Sequence, residues 1–580
     1  MGKAPMWTLL AVGLVLAAAG AWALSRLSFT PVRAYLDAQA SDGEVETYDR
    51  AFHARVLRNL RWLSAAFAGA GVLLFAARKR MPTAPKDPAG AWGAFRADVG
   101  RVIGEAVKRS SRMHLLLVLA IMLVGTALRL VHLWDPITYD EAFTYVQYAS
   151  KPYHILLSDY SYPNNHVLHT ALARLSTELF GVHRWSLRLP ALLAGVLVMP
   201  LFYLFVRAMF NRYIALIALA FVASSGGLIE YSALARGYSL TWLFYVLALL
   251  LGRHLAKTNN WVSAVLTGLS CALGMWAVPT MIYALIAIHA WLLFYLLGAY
   301  RHTVGERLSM VLLSFGVSLV LTSLFYLPVI TVHGAAQLVH HPTMGDNTWS
   351  AFVQTHQDRA LDLWVYLTDT AMPWISLLGL AGIVYAAYIS SKYRALLLAL
   401  LVGAVPMTIV QCMVAPPRVW LYLLFMLHLS SAIGIFYLLK FVQEKVWPSL
   451  AKRARSAVAA MVVLLGMGFL GMRGIADRME RYPEAILAAD WFPGILKPED
   501  RILVDFPWEA PVEFEFLARG LGREPLFRPI TAGTTIYVLV SPADGQTPQS
   551  VETHYGHEGI TVGELDKLQD WRRLEVYRDR

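Results

Sequence analysis

Apolar runs of about the length that crosses a bilayer alternate with short polar connections along most of the chain. They lie near 6–24, 62–77, 113–133, 188–206, 213–230, 237–252, 261–277, 279–299, 309–331, 364–389, 396–413, 418–439 and 456–474, and they predict thirteen transmembrane helices. After residue 474 the pattern changes. Residues 475–580 are polar, with Pro483, Pro493, Pro498, Pro507 and Pro511 in their first part. RILVDF (501–506), TTIYVLV (534–540) and RRLEVYR (572–578) read as strands there, PVEFEFLARGL (511–521) as a helix, and 546–556 as a further helical segment. The expectation is an all-α polytopic membrane protein in which 475–580 form a small α/β domain.

Composition agrees with this reading. Of 580 residues 57% are hydrophobic and 15% charged, against about 25% charged in a typical soluble domain. Mean hydropathy is +0.50. A soluble globular enzyme and a disordered chain are excluded. Eighteen Trp and 27 Tyr suit many membrane interfaces. The net charge of +11 is read as cytoplasmic loop charge and not as affinity for nucleic acid. The connection 78–112 carries Arg78, Lys79, Arg80, Lys86, Arg96, Arg101, Lys108, Arg109 and Arg112. If it is cytoplasmic, every second connection should be basic. Arg207 with Arg212, Arg253 with Lys257, Arg301 with Arg307, Lys392 with Arg394, and 440–455 fit that alternation. The first large outer loop is then 134–187, and the C-terminal domain lies outside the cytoplasm. Residues 1–24 read as an uncleaved anchor, with a signal peptide ending at AAAGAWA as the alternative. Cys271 and Cys412 sit in apolar segments and offer neither a disulfide framework nor zinc spacing. No P-loop or Gly-rich nucleotide fingerprint is present.

Carboxylates cluster at span ends and in outer loops, which places any chemistry at the outer membrane surface. LWDPITYDEAFTY (133–145) brings Asp140 and Glu141 close beyond a membrane edge, between Tyr139 and Phe143. Adjacent carboxylates in an aromatic setting can supply a general base; on chemistry alone a solvated cap of an interfacial helix is the favoured reading. In SYPNNHVLHTAL (161–172), His166 and His169 stand three apart, on one face of a helix, suited to phosphate or sugar hydroxyls. Their spacing is weak support for a metal, and no metal or other cofactor is indicated. Arg236, in EYSALARGYSL (230–240), and Arg418, in APPRVWLYLL (415–424), occupy outer positions that the positive-inside tendency disfavours. Each offers a fork for a phosphate at headgroup depth or snorkels to lipid. The loop 332–363, with His333, His340, His341, Asp346, Trp349 and His356, reads as polar surface facing an acceptor.

The order of these motifs resembles the integral-membrane GT-C glycosyltransferases: a span, an outer loop opening with Asp-Glu, then NNHVLHT, RLPALLAGVLVMPLFYLF (188–205) and YSALARGYSL. The pattern is similar to bacterial glycosyltransferase family 39, protein O-mannosyltransferases and lipid A aminoarabinose transferases, over about residues 113–440. Residues 1–112 and 475–580 fall outside it. The resemblance implies a GT-C fold and transfer from a polyprenyl-phosphate sugar, a hexose or pentose, to a lipid, cell-envelope glycan or protein acceptor. It implies an outer-face active site in a bacterial inner membrane. It makes Asp140 the base, Glu141 its partner or an acceptor ligand, and Arg236 and Arg418 the ligands of the donor phosphate. Tyr139, His166, His169 and Tyr238 are the implied substrate contacts. A polytopic lipid transporter or flippase is the competing class.

Overall fold

The computed structural model describes residues 3–38, 45, 48–77, 88–339, 348–371, 373–445, 480–530, 534–558 and 564–579. Among them eight helices are long and apolar enough to span a membrane, and a ninth span results if Ala11–Leu24 and Phe29–Asp37, bent by 87°, count together. Three shorter apolar helices, Arg212–Ser224, Trp261–Ala277 and Gly379–Ile389, fall on further predicted spans. The segment 456–474 lies outside the described residues, as do His340, His341, Asp346 and residues 78–87 and 446–455 of the two basic connections. The helical membrane architecture therefore stands, and the count of thirteen is not established.

The helices Arg184–Met209, Arg212–Ser224, Tyr238–Thr258, Ile282–Ala299, Ser391–Val410 and Leu423–Lys445 enclose one core, in which Phe202, Trp242, Tyr245, Trp291 and Phe425 are fully buried. Polar side chains start several of these helices. Asn211 Oδ1 accepts from the N–H groups of Tyr213 and Ile214, and Asn260 Oδ1 from Val262.

The fifth predicted span, 213–230, is not continuous. The helix stops at Ser224, Ser225 is extended, and a short helix Gly226–Glu230 leads into a buried loop that carries Arg236. Ser224-Ser225-Gly226-Gly227 is a poor helix interior, and a break at this depth is tolerated only where backbone groups find partners. Arg129 supplies them. Fully buried near the end of Arg112–Val131, it donates to the carbonyls of Gly125 at 2.8 Å, Ala223 at 2.9 Å and Val222 at 3.2 Å, and to Ser232 Oγ at 3.2 Å.

The C-terminal part holds one sheet of strands β1 (Arg501–Val504), β2 (Ile536–Val540), β3 (Leu565–Trp571) and β4 (Leu574–Asp579), in the order β1-β2-β4-β3. β1 and β2 are parallel and the other pairs antiparallel. Apolar side chains cover both faces of β1 and β2. Phe492, Trp508, Val512 and Phe516 pack on one side and Val551 on the other. The helix Glu509–Ala518 docks this unit on the first loop, with Ala510 and Phe514 against Ile137, Ala142, Tyr145 and Ala149. Tyr139 OH donates to Glu509 Oε1 at 2.6 Å, Arg523 to Ser150 Oγ at 2.7 Å, and the Tyr482 N–H to the Ile137 carbonyl at 3.1 Å.

Candidate active site

The loop 134–187 folds as short helices, Tyr139–Thr144, Tyr153–Leu156 and Val167–Phe180, joined by tight turns. The first begins with a capping box: Thr138 Oγ1 accepts from the Glu141 N–H, and Glu141 Oε2 accepts from the Thr138 N–H at 3.1 Å. This turns the two adjacent carboxylates in opposite directions. The Glu141 side chain points inward and is fully buried. Its Oε1 accepts from Arg188 Nε and from the Ala235 N–H, each at 2.7 Å, and its Oε2 from Arg188 Nη2 at 2.7 Å. Burial pushes the Glu141 carboxyl up, but the Arg188 ion pair and the N–H groups outweigh it and hold the carboxyl below its ordinary range. Glu141 does not line the cavity described next; its carboxylate is engaged by Arg188 and backbone N–H groups.

Asp140 faces outward and lines a cavity of about 630 Å³, together with Tyr139, His166, Arg236, Tyr238 and Arg418. Residues drawn from four regions of the chain therefore meet at one place. Arg236 is buried, with its Nη2 3.7 Å from Asp140 Oδ2 and its Nη1 donating to Thr144 Oγ1 and the Asn164 carbonyl, both at 3.2 Å. Arg418 follows Pro416 and Pro417, and its Nε donates to Tyr238 OH at 2.9 Å. Tyr238 in turn packs edge-on against the His166 ring, at a centroid separation of 5.0 Å.

His166 is fixed from behind. The Gly237 N–H donates to its Nδ1 at 2.8 Å. A side chain at Gly237 is impossible without movement, because a Cβ there would stand 2.6 Å from the Ala277 carbonyl and 3.1 Å from the His166 Cβ. Burial, and after it the Arg236 charge, push the His166 imidazole well below its usual value. The ring is therefore neutral near pH 7, with Nδ1 accepting and the proton on Nε2. That Nε2 lies 3.5 Å from Arg236 Nη2. Two donors converge there, an arrangement that suits an anion.

His169 is fully buried beyond the cavity, and among the described residues neither ring nitrogen has a hydrogen-bond partner. Burial and Arg236 lower its pKa to about 3. As a direct substrate contact it is thus displaced, because the helix Val167–Phe180 turns it inward. His333 faces Asp159 Oδ1 at 3.5 Å and is not among the residues lining the cavity. Among the described residues no three His, Cys, Asp or Glu side chains stand close enough to share a metal ion.

Several contributors were not read from the sequence. Arg188 looked like the first residue of a span, yet a buried carboxylate demands such a partner. Tyr160, Tyr283 and Gln411 line the cavity, and Tyr283 OH donates to Gln411. Phe506 brings the C-terminal unit to the rim, edge-on to Tyr139 with centroids 5.1 Å apart.

The fold that carries this cavity is of the GT-C type, the fold of integral-membrane glycosyltransferases. The family model described as dolichyl-phosphate-mannose-protein mannosyltransferase matches residues 165–326, the stretch that holds His166, Arg236 and Tyr238. No curated protein matches in sequence. Among solved structures, the chain is similar to ArnT from Cupriavidus metallidurans bound to undecaprenyl phosphate. Identity is 13%, over 81% of this chain and 98% of that one, with a TM-score of 0.50. ArnT in the apo state gives 14%, 80%, 97% and 0.49. The Archaeoglobus fulgidus oligosaccharyltransferase tethered with an acceptor peptide gives 14%, 74%, 69% and 0.48. At these identities the likeness to ArnT bound to undecaprenyl phosphate concerns the fold.

Proposed function

We propose that this protein transfers a sugar from a polyprenyl-phosphate donor to an acceptor at the outer face of the cytoplasmic membrane. The observation that carries the reading is the convergence of Asp140, Arg236 and Arg418 on one cavity. Two guanidiniums and a neutral imidazole donor suit the phosphate that joins sugar to lipid. Undecaprenyl phosphate in the similarly folded ArnT structure supports this class of donor. The Asp140 carboxylate removes the proton from the acceptor nucleophile as that nucleophile attacks the anomeric carbon. The carbon–oxygen bond to phosphate breaks and its electron pair leaves with the phosphate, which needs little acid help. One displacement inverts the anomeric centre. Retention through a glycosyl-enzyme would need a second carboxylate about 5–5.5 Å away, and Glu141, the adjacent one, is committed to Arg188. In this scheme Glu141 and Arg188 are positioning residues that hold the loop bearing Asp140.

Mass-spectrometric turnover with a panel of undecaprenyl- and decaprenyl-phosphate sugars tests the reading. Sugar transfer with release of the polyprenyl phosphate is expected from one of them. Movement of intact donor between leaflets without release would favour the transporter class instead.

A further inference from the structure

At the opposite end of the helix Tyr238–Thr258 from Tyr238, a second cavity of about 410 Å³ opens. One wall is the helix Pro88–Lys108, and the other is formed by the ends of Arg184–Met209 and Tyr238–Thr258. Five cationic side chains line it, Arg101, Arg109, Arg207, Arg253 and Lys257, against the two carboxylates of Asp98 and Glu105. Both carboxylates are engaged. Asp98 pairs with Arg101 and lies 3.2 Å from His254 Nε2, while Glu105 Oε2 faces Arg109 Nη2 at 3.6 Å. Arg207 donates to neutral oxygens, Ser110 Oγ at 2.8 Å and Tyr203 OH at 2.9 Å, and Arg253 to the Ala208 carbonyl. Among the described residues neither guanidinium, nor the Lys257 ammonium, is in an ion pair with a carboxylate. A half-enclosed pocket with surplus positive charge attracts an anion.

The wall helix indicates which anion. Phe95 is buried edge-on against His254, with centroids 5.4 Å apart, and the Asn260 amide donates to the Ala91 carbonyl at 3.0 Å. Trp92, Val99, Ile103 and Val107 are nevertheless exposed on the same helix. Apolar side chains left open beside a cationic pocket, at the ends of spanning helices, mark a helix lying at headgroup depth. A soluble phosphate would satisfy the cations but not cover these side chains. A lipid does both, its phosphate in the pocket and its acyl chains along the helix. We propose that this cavity binds the phosphate of an anionic membrane lipid, held by Arg207, Arg253 and Lys257. Basic pockets between membrane helices suit such headgroups. The site is separate from the catalytic cavity and does not depend on the reading of that cavity.

The test uses the full chain in mixed phosphatidylglycerol–phosphatidylcholine nanodiscs, with retained lipid counted by native mass spectrometry. The wild type should hold phosphatidylglycerol in preference to phosphatidylcholine. Lys257 is exposed, so Lys257→Gln leaves the fold intact, and it should weaken retention about fivefold, the value of one cation near an anionic lipid. Arg253→Gln should act in the same direction, and Arg207→Lys should keep the lipid. Unchanged retention in both Gln variants would overturn the site. Displacement of the bound lipid by millimolar inorganic phosphate would overturn the lipid as its source.

Discussion

Replacing Glu141 by Gln separates its role from that of its neighbour. Its carboxylate accepts from Arg188 Nε and Nη2, the Ala235 N–H, and the Thr138 N–H and hydroxyl, at 2.7 to 3.1 Å. An amide keeps one acceptor oxygen and turns an NH₂ group towards N–H groups that need an acceptor. The buried Arg188 then loses its counter-charge. It retains the carbonyls of His132, Leu133, Asp135 and Pro136 at 2.8 to 3.3 Å. Breaking a buried ion pair costs about 3–5 kcal/mol, and those carbonyls place this case near the lower bound. Glu141→Gln should therefore lower the midpoint of thermal unfolding, followed by loss of the monodisperse peak in detergent. Adding Arg188→Met should recover part of the loss, because the uncompensated cation goes with it. Asp140 behaves differently: its side chain is 46% exposed in the cavity, so Asp140→Asn should melt with the wild type and lose roughly 10²- to 10⁴-fold in turnover. If Glu141→Gln melts with the wild type and loses turnover as deeply as Asp140→Asn, Glu141 acts in the chemistry and the division of labour is wrong.

Arg418→Lys keeps the charge but loses the fork and the Nε bond to Tyr238. It should weaken donor binding by about 1.5–3 kcal/mol with little change for acceptor, read from separate donor and acceptor titrations; equal donor dependence would return Arg418 to lipid snorkelling. EDTA should leave turnover unchanged, and inactivation reversed by one divalent ion would contradict this. A reporter fused after Arg580 should be active only outside the cytosol, and cytosolic activity would invert the topology. Burial, outweighing the nearby Arg523, raises the Glu513 carboxyl from 4.5 to about 7. The folded state therefore binds more proton than the unfolded state across that interval, and stability should fall as pH rises from about 4.5 to about 7, then level off. Glu513→Gln should flatten that slope in pH-dependent melting.

Much of this arrangement is legible in the chain because hydrophobic length and loop charge are local signals. The predicted spans on described residues fall on helices, although some, such as 213–230 and 364–389, are divided between two, and RILVDF, TTIYVLV and RRLEVYR overlap β1, β2 and β4. β3 escaped notice because LDKLQDW is polar and partly exposed on both faces, so it lacks the alternation of a half-buried strand. The helix Pro483–Trp491 begins at a proline that read only as loop punctuation, whereas proline is welcome in a first turn. The site was partly legible. Asp140 shares one cavity, across nearly 280 positions of chain, with Arg236 and Arg418, the two arginines that the positive-inside argument singled out. The fate of Glu141 was not, because it depends on Arg188, which reads in sequence as ordinary charge at a helix start. Thr138-x-x-Glu141 was a capping signature in plain view.

The charges around the cavity bear on how the transfer gains its rate. Arg236 and Arg418 stand against Asp140, and His166 adds a neutral donor, so the cavity carries a net positive charge. A sugar phosphodiester brings about one negative charge, whereas the released monoester approaches two at neutral pH. In the proposed transfer the guanidiniums would therefore bind the departing phosphate more strongly than the intact donor, and such a difference lowers a barrier. The same charge would hold the polyprenyl phosphate after transfer. The carboxylate of Asp140 offsets part of it, 3.7 Å from Arg236 Nη2. As the acceptor's proton passes to Asp140 in the transition state, that offset fades and the pull of Arg236 on the leaving group grows. On the proposed mechanism, proton removal and phosphate departure would in this way be coupled through one ion pair, although they would occur at opposite sides of the anomeric carbon.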